Sequence, residues 1–292
     1  MSADARRVGG GQVLKCADRT LDLSQPLVMG VLNVTPDSFS DGARFTSSVA
    51  AIEHGVRLAA EGAAIIDVGG ESTRPGAESV TVAEELRRVL PVIEGLRQAT
   101  RGSGVVLSVD SSKPEVMRAA AAAGVGFIND VRALREPGAL EAAAATGCAV
   151  CLMHMQGEPR TMQLAPHYAD VVAEVRAFLS GRVRACRGAG IESARLSVDP
   201  GFGFGKNLEH NLTLLRHLPE LVADGQPVLV GLSRKSTVGK LTGREAGDRV
   251  PGSVALAVIA ALKGARIIRA HDVAATVDAL KVTAAVGNGA GI

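Results

Sequence analysis

Val105-Val106-Leu107-Ser108-Val109-Asp110 runs into Ser111-Ser112-Lys113-Pro114 and then into a helical stretch ending at Ala123. The run is short, apolar and rich in β-branched residues, which suits a strand buried on both faces. A carboxylate closes it. Proline in the first turn of the next segment needs no amide partner there and presets the helical φ. This stretch reads as one strand–loop–helix unit, and the unit recurs. Further runs lie at Val28–Leu32, Ala64–Val68, Gly126–Ile128, Ala149–Met153, Arg195–Val198, Val228–Val230 and Ile267–Arg269. Helical periodicity marks Ser48–Glu61, Val82–Gln98, Pro114–Ala123, Ala169–Ala189, Gly252–Leu262 and Val273–Val286.

Eight strands, each feeding a helix, predict a parallel α/β sheet covered on both faces. Eight units suit closure into a (β/α)8 TIM barrel, with an open doubly wound sheet as the runner-up. Val13–Leu23, with Ala17-Asp18-Arg19 at its middle, reads as a β-hairpin before the first barrel strand. Barrels of this kind routinely reach roughly 250 residues as one unit. No linker, low-complexity tract or shift of composition divides the 292 residues. A single domain over 1–292 is expected, with the hairpin at about 13–23 and the barrel at about 27–286.

Composition narrows the function classes. Apolar residues are 47% of the chain, enough for a large core and against global disorder. Lys and Arg number 32 against 30 Asp and Glu, a net +2 that offers no field for nucleic acid or acidic lipid. With six Phe, one Tyr and no Trp, a base-stacking platform is not expected either. Val254–Leu262, the longest clean apolar run near the C-terminus, is far short of the roughly 20 residues of a membrane span. Met1–Leu14 contains no apolar signal core, so a cytoplasmic protein is expected. Cys148 and Cys151 form a C-x-x-C without a second Cys or His pair, and residues three apart on a strand face opposite ways. We read them as buried structural thiols in a reducing compartment.

Nearly every run ends in a polar residue: Asn33, Asp67 with Glu71 beyond it, Asp110, Asn129-Asp130, His154 and Asp199. Ser233-Arg234-Lys235 follows the seventh run, and the eighth carries Arg269 and His271. Any one of these can be a helix cap or turn former. Lys235, Arg269 and His271 are not capping types, however, and in a barrel all these positions gather at the C-terminal face, where active sites lie. Asp110, Asn129 and Asp199 suit a ligand edge rich in N–H donors. Asn33, Lys235, Arg269 and His271 suit an anion such as phosphate. A donor-rich heterocycle carrying a phosphate tail is the expected ligand.

Asp199-Pro200-Gly201-Phe202-Gly203-Phe204-Gly205-Lys206 is glycine-rich, but it has neither P-loop nor dinucleotide spacing. A tight turn that lets backbone approach a ligand and a direct phosphate cradle both remain open for it. The long polar loops at 33–42 and 69–76 are natural lids on a barrel's active face. His54, His167, His210 and His217 have no metal-ligand spacing and read as surface or packing residues.

The same residues carry a family resemblance. Met29-Gly30-Val31-Leu32-Asn33-Val34-Thr35-Pro36-Asp37-Ser38-Phe39-Ser40-Asp41-Gly42 and Ile65-Ile66-Asp67-Val68-Gly69-Gly70-Glu71-Ser72-Thr73-Arg74-Pro75-Gly76 are similar to segments of bacterial dihydropteroate synthases. Ser108-Val109-Asp110, Ile128-Asn129-Asp130, the Asp199–Lys206 loop, Gly231-Leu232-Ser233-Arg234-Lys235-Ser236 and Arg269-Ala270-His271-Asp272 extend the resemblance to the last helix. Ala43 departs from it, standing where the family commonly has a second glycine. It implies a folate-pathway transferase that joins a dihydropterin diphosphate to 4-aminobenzoate, releasing pyrophosphate, and that sulfonamides target.

The roles it implies follow residue by residue. Asp110, Asn129, Asp199 and Lys235 would bind the pterin, with Thr73 also substrate-binding. Asn33 would help hold Mg²⁺, the implied cofactor, while Arg269 and His271 would take the diphosphate. Phe39, Arg74, Pro75, Phe204 and Ser236 would shape the aminobenzoate pocket. Asp110, Lys235, Arg269, His271 and Asp41 would act in catalysis, with no covalent enzyme intermediate. The resemblance also implies a cytoplasmic homodimer. The alternatives are a pterin-binding methyltransferase-type barrel and a catalytically silent pterin-binding relative.

Overall fold

The computed structural model describes residues 12–34, 44–72, 80–158 and 161–287. The chain opens with the hairpin: β1 (Val13–Cys16) pairs antiparallel with β2 (Arg19–Asp22), and Ala17 takes a left-handed φ of 54° in the turn. The barrel strands follow as β3 (Leu27–Asn33), β4 (Ile65–Gly69), β5 (Val106–Asp110) and β6 (Phe127–Asp130), then β7 (Ala149–Met153), β8 (Leu196–Asp199), β9 (Leu229–Gly231) and β10 (Ile267–Ala270). All eight are parallel, in the order β8-β7-β6-β5-β4-β3-β10-β9. A parallel bridge between Val198 and Val228, with the Val198 amide 2.9 Å from the Pro227 carbonyl, joins the two ends. The closed ring decides against the open sheet.

The helices α1 (Arg44–Ala60), α2 (Val82–Ala99), α3 (Pro114–Ala122), α5 (Val171–Gly188), α9 (Val250–Leu262) and α10 (Val273–Gly287) match the periodic stretches to within a few residues at each end. Their starts have local causes. Thr81 accepts from the Glu84 amide to cap α2, Asp170 accepts from the Val172 and Ala173 amides to cap α5, and Pro114 opens α3. The described residues hold four further helices: α4 (Ala139–Thr146), α6 (Leu208–Arg216), α7 (Leu218–Ala223) and α8 (Ser236–Thr242). The buried face of α4 is only alanine, which gives almost no apolar contrast.

Strand residues alternate between two environments. One set, including Ile66, Val68, Leu107, Val109, Ile128 and Leu152, packs outward with the helices in the main core. The alternate set points inward. At the N-terminal end of the barrel it comprises Met29, Ile65, Val106, Phe127, Leu229 and Ile267, packed with Leu14, Cys16, Leu21 and Leu23 of the hairpin. The hairpin is therefore the floor of the barrel. Two residues up on β4, β5, β6 and β10 the inward set turns polar, with Asp67, Ser108, Asn129 and Arg269.

Candidate active site

Strand register fixes which polar groups meet. Asp67 lies beside Ser108, and Asp110 beside both Gly69 and Asn129. Each is an even number of residues above an inward floor position, so each points into the barrel. Asp67 is fully buried and accepts from Ser108 Oγ at 2.5 Å, Asn129 Nδ2 at 2.9 Å and Arg269 Nε at 2.7 Å. Arg269 Nη2 donates to Asp110 at 2.9 Å. One guanidinium thus spans two carboxylates across the ring. Burial opposes its charge, but Asp67 and Asp110 outweigh that and hold Arg269 above its ordinary range.

Asp110 shows the cost of this crowding. Burial pushes its carboxyl up to about 7, Arg269 works against the rise, and Asp67, Glu85 and Asp130 add to it. Gly69 keeps space beside it: a Cβ there would lie 3.5 Å from the Asp110 Cβ and 3.7 Å from the Asn33 amide oxygen. Asn33, half-buried at the top of β3, therefore shares this mouth with Asp110.

Across the ring, Asp199 is buried, and its Oδ1 accepts from the Gly201 amide at 2.7 Å. Burial raises its carboxyl, and Lys235 opposes the rise. Lys235 extends from the start of α8, donates to the Phe202 carbonyl and holds its ammonium 4.6 Å from the centre of the Phe204 ring. Burial lowers it to about 8, with Asp199 resisting, so it is mostly charged at neutral pH. Gly231 leaves room for both cations, since a Cβ there would meet Lys235 Nζ at 3.8 Å and Arg269 Cβ at 3.9 Å. His271 follows β10, with Nδ1 3.1 Å from Ser233 Oγ. Ser236 is exposed at the first turn of α8. Val131 and Met153 add an apolar wall beside Phe204.

The structure thus gathers Asp110, Asn129, Arg269, Asp199 and Lys235 on or over one inner wall, with Asn33 and His271 at strand ends of the same rim. The expected site residues Phe39, Asp41, Thr73, Arg74 and Pro75 lie outside the described residues. Asp67, the hub of the network, reads from the sequence as a strand-end carboxylate. Counting in twos from Ile65 would have found it.

Two other strand-end residues face away from the cavity. Asp130 is buried, taking Ser112 Oγ and the amides of Arg132 and Leu134, and so serves as a turn former. His154 packs against Tyr168 and Phe178. Arg234, at a left-handed φ of 57°, turns to a two-point ion pair with Asp272. Cys148 and Cys151 are free, buried and in separate layers, with burial raising both thiols. In the glycine-rich loop the amides of Gly201, Gly203 and Phe204 bond to Asp199, Asn211 and the Gly201 carbonyl. Those amides are taken, which favours the tight turn over the phosphate cradle.

Residues 29–271 match the family described as pterin binding enzyme. The dihydropteroate synthase of Escherichia coli (strain K12) is 56% identical over 266 residues, 91% of this chain and 93% of that protein. The chain belongs to the dihydropteroate synthase family. The Xanthomonas albilineans dihydropteroate synthase solved with 4-aminobenzoic acid is 57% identical, with a TM-score of 0.90, covering 97% of this chain and all of that one. The same organism's enzyme in complex with 7,8-dihydropteroate is 55% identical with a TM-score of 0.86, over 96% of this chain. The family match begins on β3 and ends at His271, so it contains every described residue of the network. The members of this family named above are transferases.

Proposed function

We propose that the chain condenses (7,8-dihydropterin-6-yl)methyl diphosphate with 4-aminobenzoate to give 7,8-dihydropteroate and pyrophosphate. The observation that carries this reading is the Asp67–Arg269–Asp110 bridge. Carboxylates that already grip one guanidinium are chemically matched to the guanidine-like edge of a pterin. Asn129 and Asp199 add acceptors, and Val131 and Met153 add a flat apolar surface for the bicycle. The relatives solved with 4-aminobenzoic acid and with 7,8-dihydropteroate support one substrate and the product.

In this reading the pterin carbon–oxygen bond breaks, the arylamine nitrogen bonds that carbon, and the amine gives up one proton. Arg269 and His271 neutralise the departing diphosphate, and Lys235 holds the pterin against Asp199. The carboxylates of Asp110 and Asp41 stabilise positive charge on the pterin. An arylamine is neutral at pH 7 and needs no strong base, so the absence of a nucleophile–base pair in the reading is no obstacle. Phe204 and Ser236, with Phe39, Thr73, Arg74 and Pro75, are assigned to the substrate and aminobenzoate pocket.

Asn33 fits Mg²⁺ by donor type. The described residues hold no group of three or more His, Cys, Asp or Glu able to cage a metal. Mg²⁺ needs no such cage: a single amide oxygen suffices when waters and a diphosphate complete the octahedron. When bound, the ion would supply charge neutralisation to the leaving group. We also read the chain as a cytoplasmic homodimer. The free buried cysteines suit a reducing compartment, and exposed Ile259, Leu262, Val282 and Val286 give a second copy apolar surface to cover.

Pyrophosphate release from the two substrates, with and without Mg²⁺, tests the reaction. Turnover that needs both substrates is expected, and pterin binding without turnover overturns it. Light scattering tests the dimer, for which twice the chain mass is expected.

A further inference from the structure

Lys206 is a buried amine with no carboxylate among its hydrogen-bond partners; burial lowers it to about 7, with Asp199 resisting. Its side chain is cut off from solvent, with only 3% of the residue exposed. Its ammonium points at backbone: 3.0 Å to the Gly201 carbonyl, 3.1 Å to the Phe204 carbonyl and 3.5 Å to the His154 carbonyl. The fourth contact is His154 Nδ1 at 2.9 Å. Burial and the Lys206 charge keep that imidazole neutral, with its titration pushed down to about 3, so Nδ1 offers a lone pair to an N–H donor. In the protonated form three N–H groups face four acceptors. No other donor type matches that set so well, because an ammonium has three hydrogens and no lone pair to repel the carbonyls.

The loop is built around this cation. Gly201, Gly203 and Gly205 take positive φ values of 69°, 81° and 62°, and those turns send the loop's carbonyls in two directions. The Gly201 and Phe204 carbonyls go inward to Lys206. The remaining ones go elsewhere: Phe202 to Lys235, Gly203 to Gln163 and Gly205 to Tyr168 at 2.9 Å. Side chains cannot replace the glycines, since a Cβ on Gly201 would lie 1.9 Å from the His154 carbonyl oxygen and one on Gly205 2.3 Å from that of Gln156. Inward and outward contacts are thus two sides of one short segment. The outward side holds the Lys235 ammonium and places the Phe204 ring beneath it.

We propose that Lys206 is a positioning residue, an internal ammonium that templates the Asp199–Lys206 loop so that Phe202 and Phe204 hold Lys235 at the ligand face. It touches no substrate itself. The consequence for turnover rests on the function proposed above; the templating of the loop does not.

Two variants of the full chain test it, Lys206→Met and Lys206→Gln, the second returning two N–H donors on a shorter stem. Amide hydrogen exchange is measured first, in the absence of substrates. Exchange at Gly201, Gly203 and Phe204 is expected to rise at least tenfold in Lys206→Met and less in Lys206→Gln, with the barrel strands unchanged. Unchanged exchange in both variants overturns the template. If Lys206→Met does not fold, Lys206→Gln decides the same point. Steady-state kinetics follow. KM for 4-aminobenzoate is expected to rise about tenfold in Lys206→Met, while inhibition by pyrophosphate, held by Arg269 and His271, changes less than twofold. A loop that loosens while both constants stay put overturns the positioning role. A wild-type chain that turns over nothing overturns the proposed function instead, and the exchange result still judges the template alone.

Discussion

The two ends of the same eight strands are built on opposite logic. At the floor, Met29, Ile65, Val106, Phe127, Leu229 and Ile267 form a dry plug with the hairpin. One step up, Asp67, Ser108, Asn129 and Arg269 fill the equivalent inward positions with charge and amide. The floor can be close-packed because nothing has to enter it. The upper wall cannot, because its groups must stay available to a ligand. Stability therefore concentrates below and electrostatic cost above, within about 7 Å along each strand, the rise of two residues.

The sharpest way to break this division is to empty the floor. Phe127 is fully buried among the hairpin and strand residues. Phe127→Ala should cost about 3–5 kcal/mol of stability, through lost transfer energy and the cavity left behind. Denaturant melts check the cost. At a temperature where the variant remains folded, KM for both substrates should stay within twofold of wild type. A large rise in KM would mean that floor and wall are not separable.

Removing charge from the wall should do the reverse. Asp110→Asn keeps size and loses the carboxylate, and kcat/KM should fall roughly 10²–10³-fold, the typical loss when a preorganised electrostatic partner is removed. Stability should move the other way with pH. Because burial raises the Asp110 carboxyl to about 7, the folded state binds its proton more tightly than the unfolded chain. Its contribution is fully present below about pH 4, the ordinary aspartate range, and is lost as pH rises through 7. Asn carries no such loss. The variant should therefore gain in Tm relative to wild type between pH 4 and pH 8, as thermal melts across that range would read. A gap that shrinks with rising pH would show that Arg269 repays Asp110 in full.

The contrast also explains what could be read from residues alone. The strands, the hairpin and the closed ring followed from apolar runs, because strands buried on both sides leave continuous apolar sequence. The rim residues Asn33, Asp110, Asn129 and Asp199 were found because they end those runs. Asp67 was undervalued for the same reason. It sits two residues before the end of β4, where parity rather than position decides which way a side chain points. Parity likewise turns Asp130 and His154 outward, although both close a run. Lys206 carried no signal at all, since a cation held by carbonyls depends on a loop shape that only the glycine torsions create. Helix α4 stayed hidden because alanine packs without contrast.

A smaller and more pointed comparison places the same substitution at each end. Gly126 lies on the floor side, where a Cβ would stand 3.0 Å from the Cys16 carbonyl oxygen of the hairpin. That atom is backbone and cannot swing aside, so Gly126→Ala should push the hairpin from its seat and cost about 1–3 kcal/mol, the usual range for overpacking. Gly69 lies at the mouth, where a Cβ would sit at ordinary contact distance, 3.5 Å from the Asp110 Cβ and 3.7 Å from the Asn33 amide oxygen. Gly69→Ala should cost less than Gly126→Ala, because its Cβ meets only ordinary contacts. The added methyl nevertheless stands beside the two groups assigned to the pterin and to Mg²⁺, Asp110 and Asn33. Displacing a bound substrate by even a fraction of an ångström lowers kcat/KM, here by roughly tenfold. Melts and kinetics on both variants give a crossed pattern if floor and wall divide the labour: one alanine lowers Tm more and spares turnover, the other lowers Tm less and reduces turnover. Two variants that lose both properties together would erase the division, and with it the reason for keeping glycine beside Asp110.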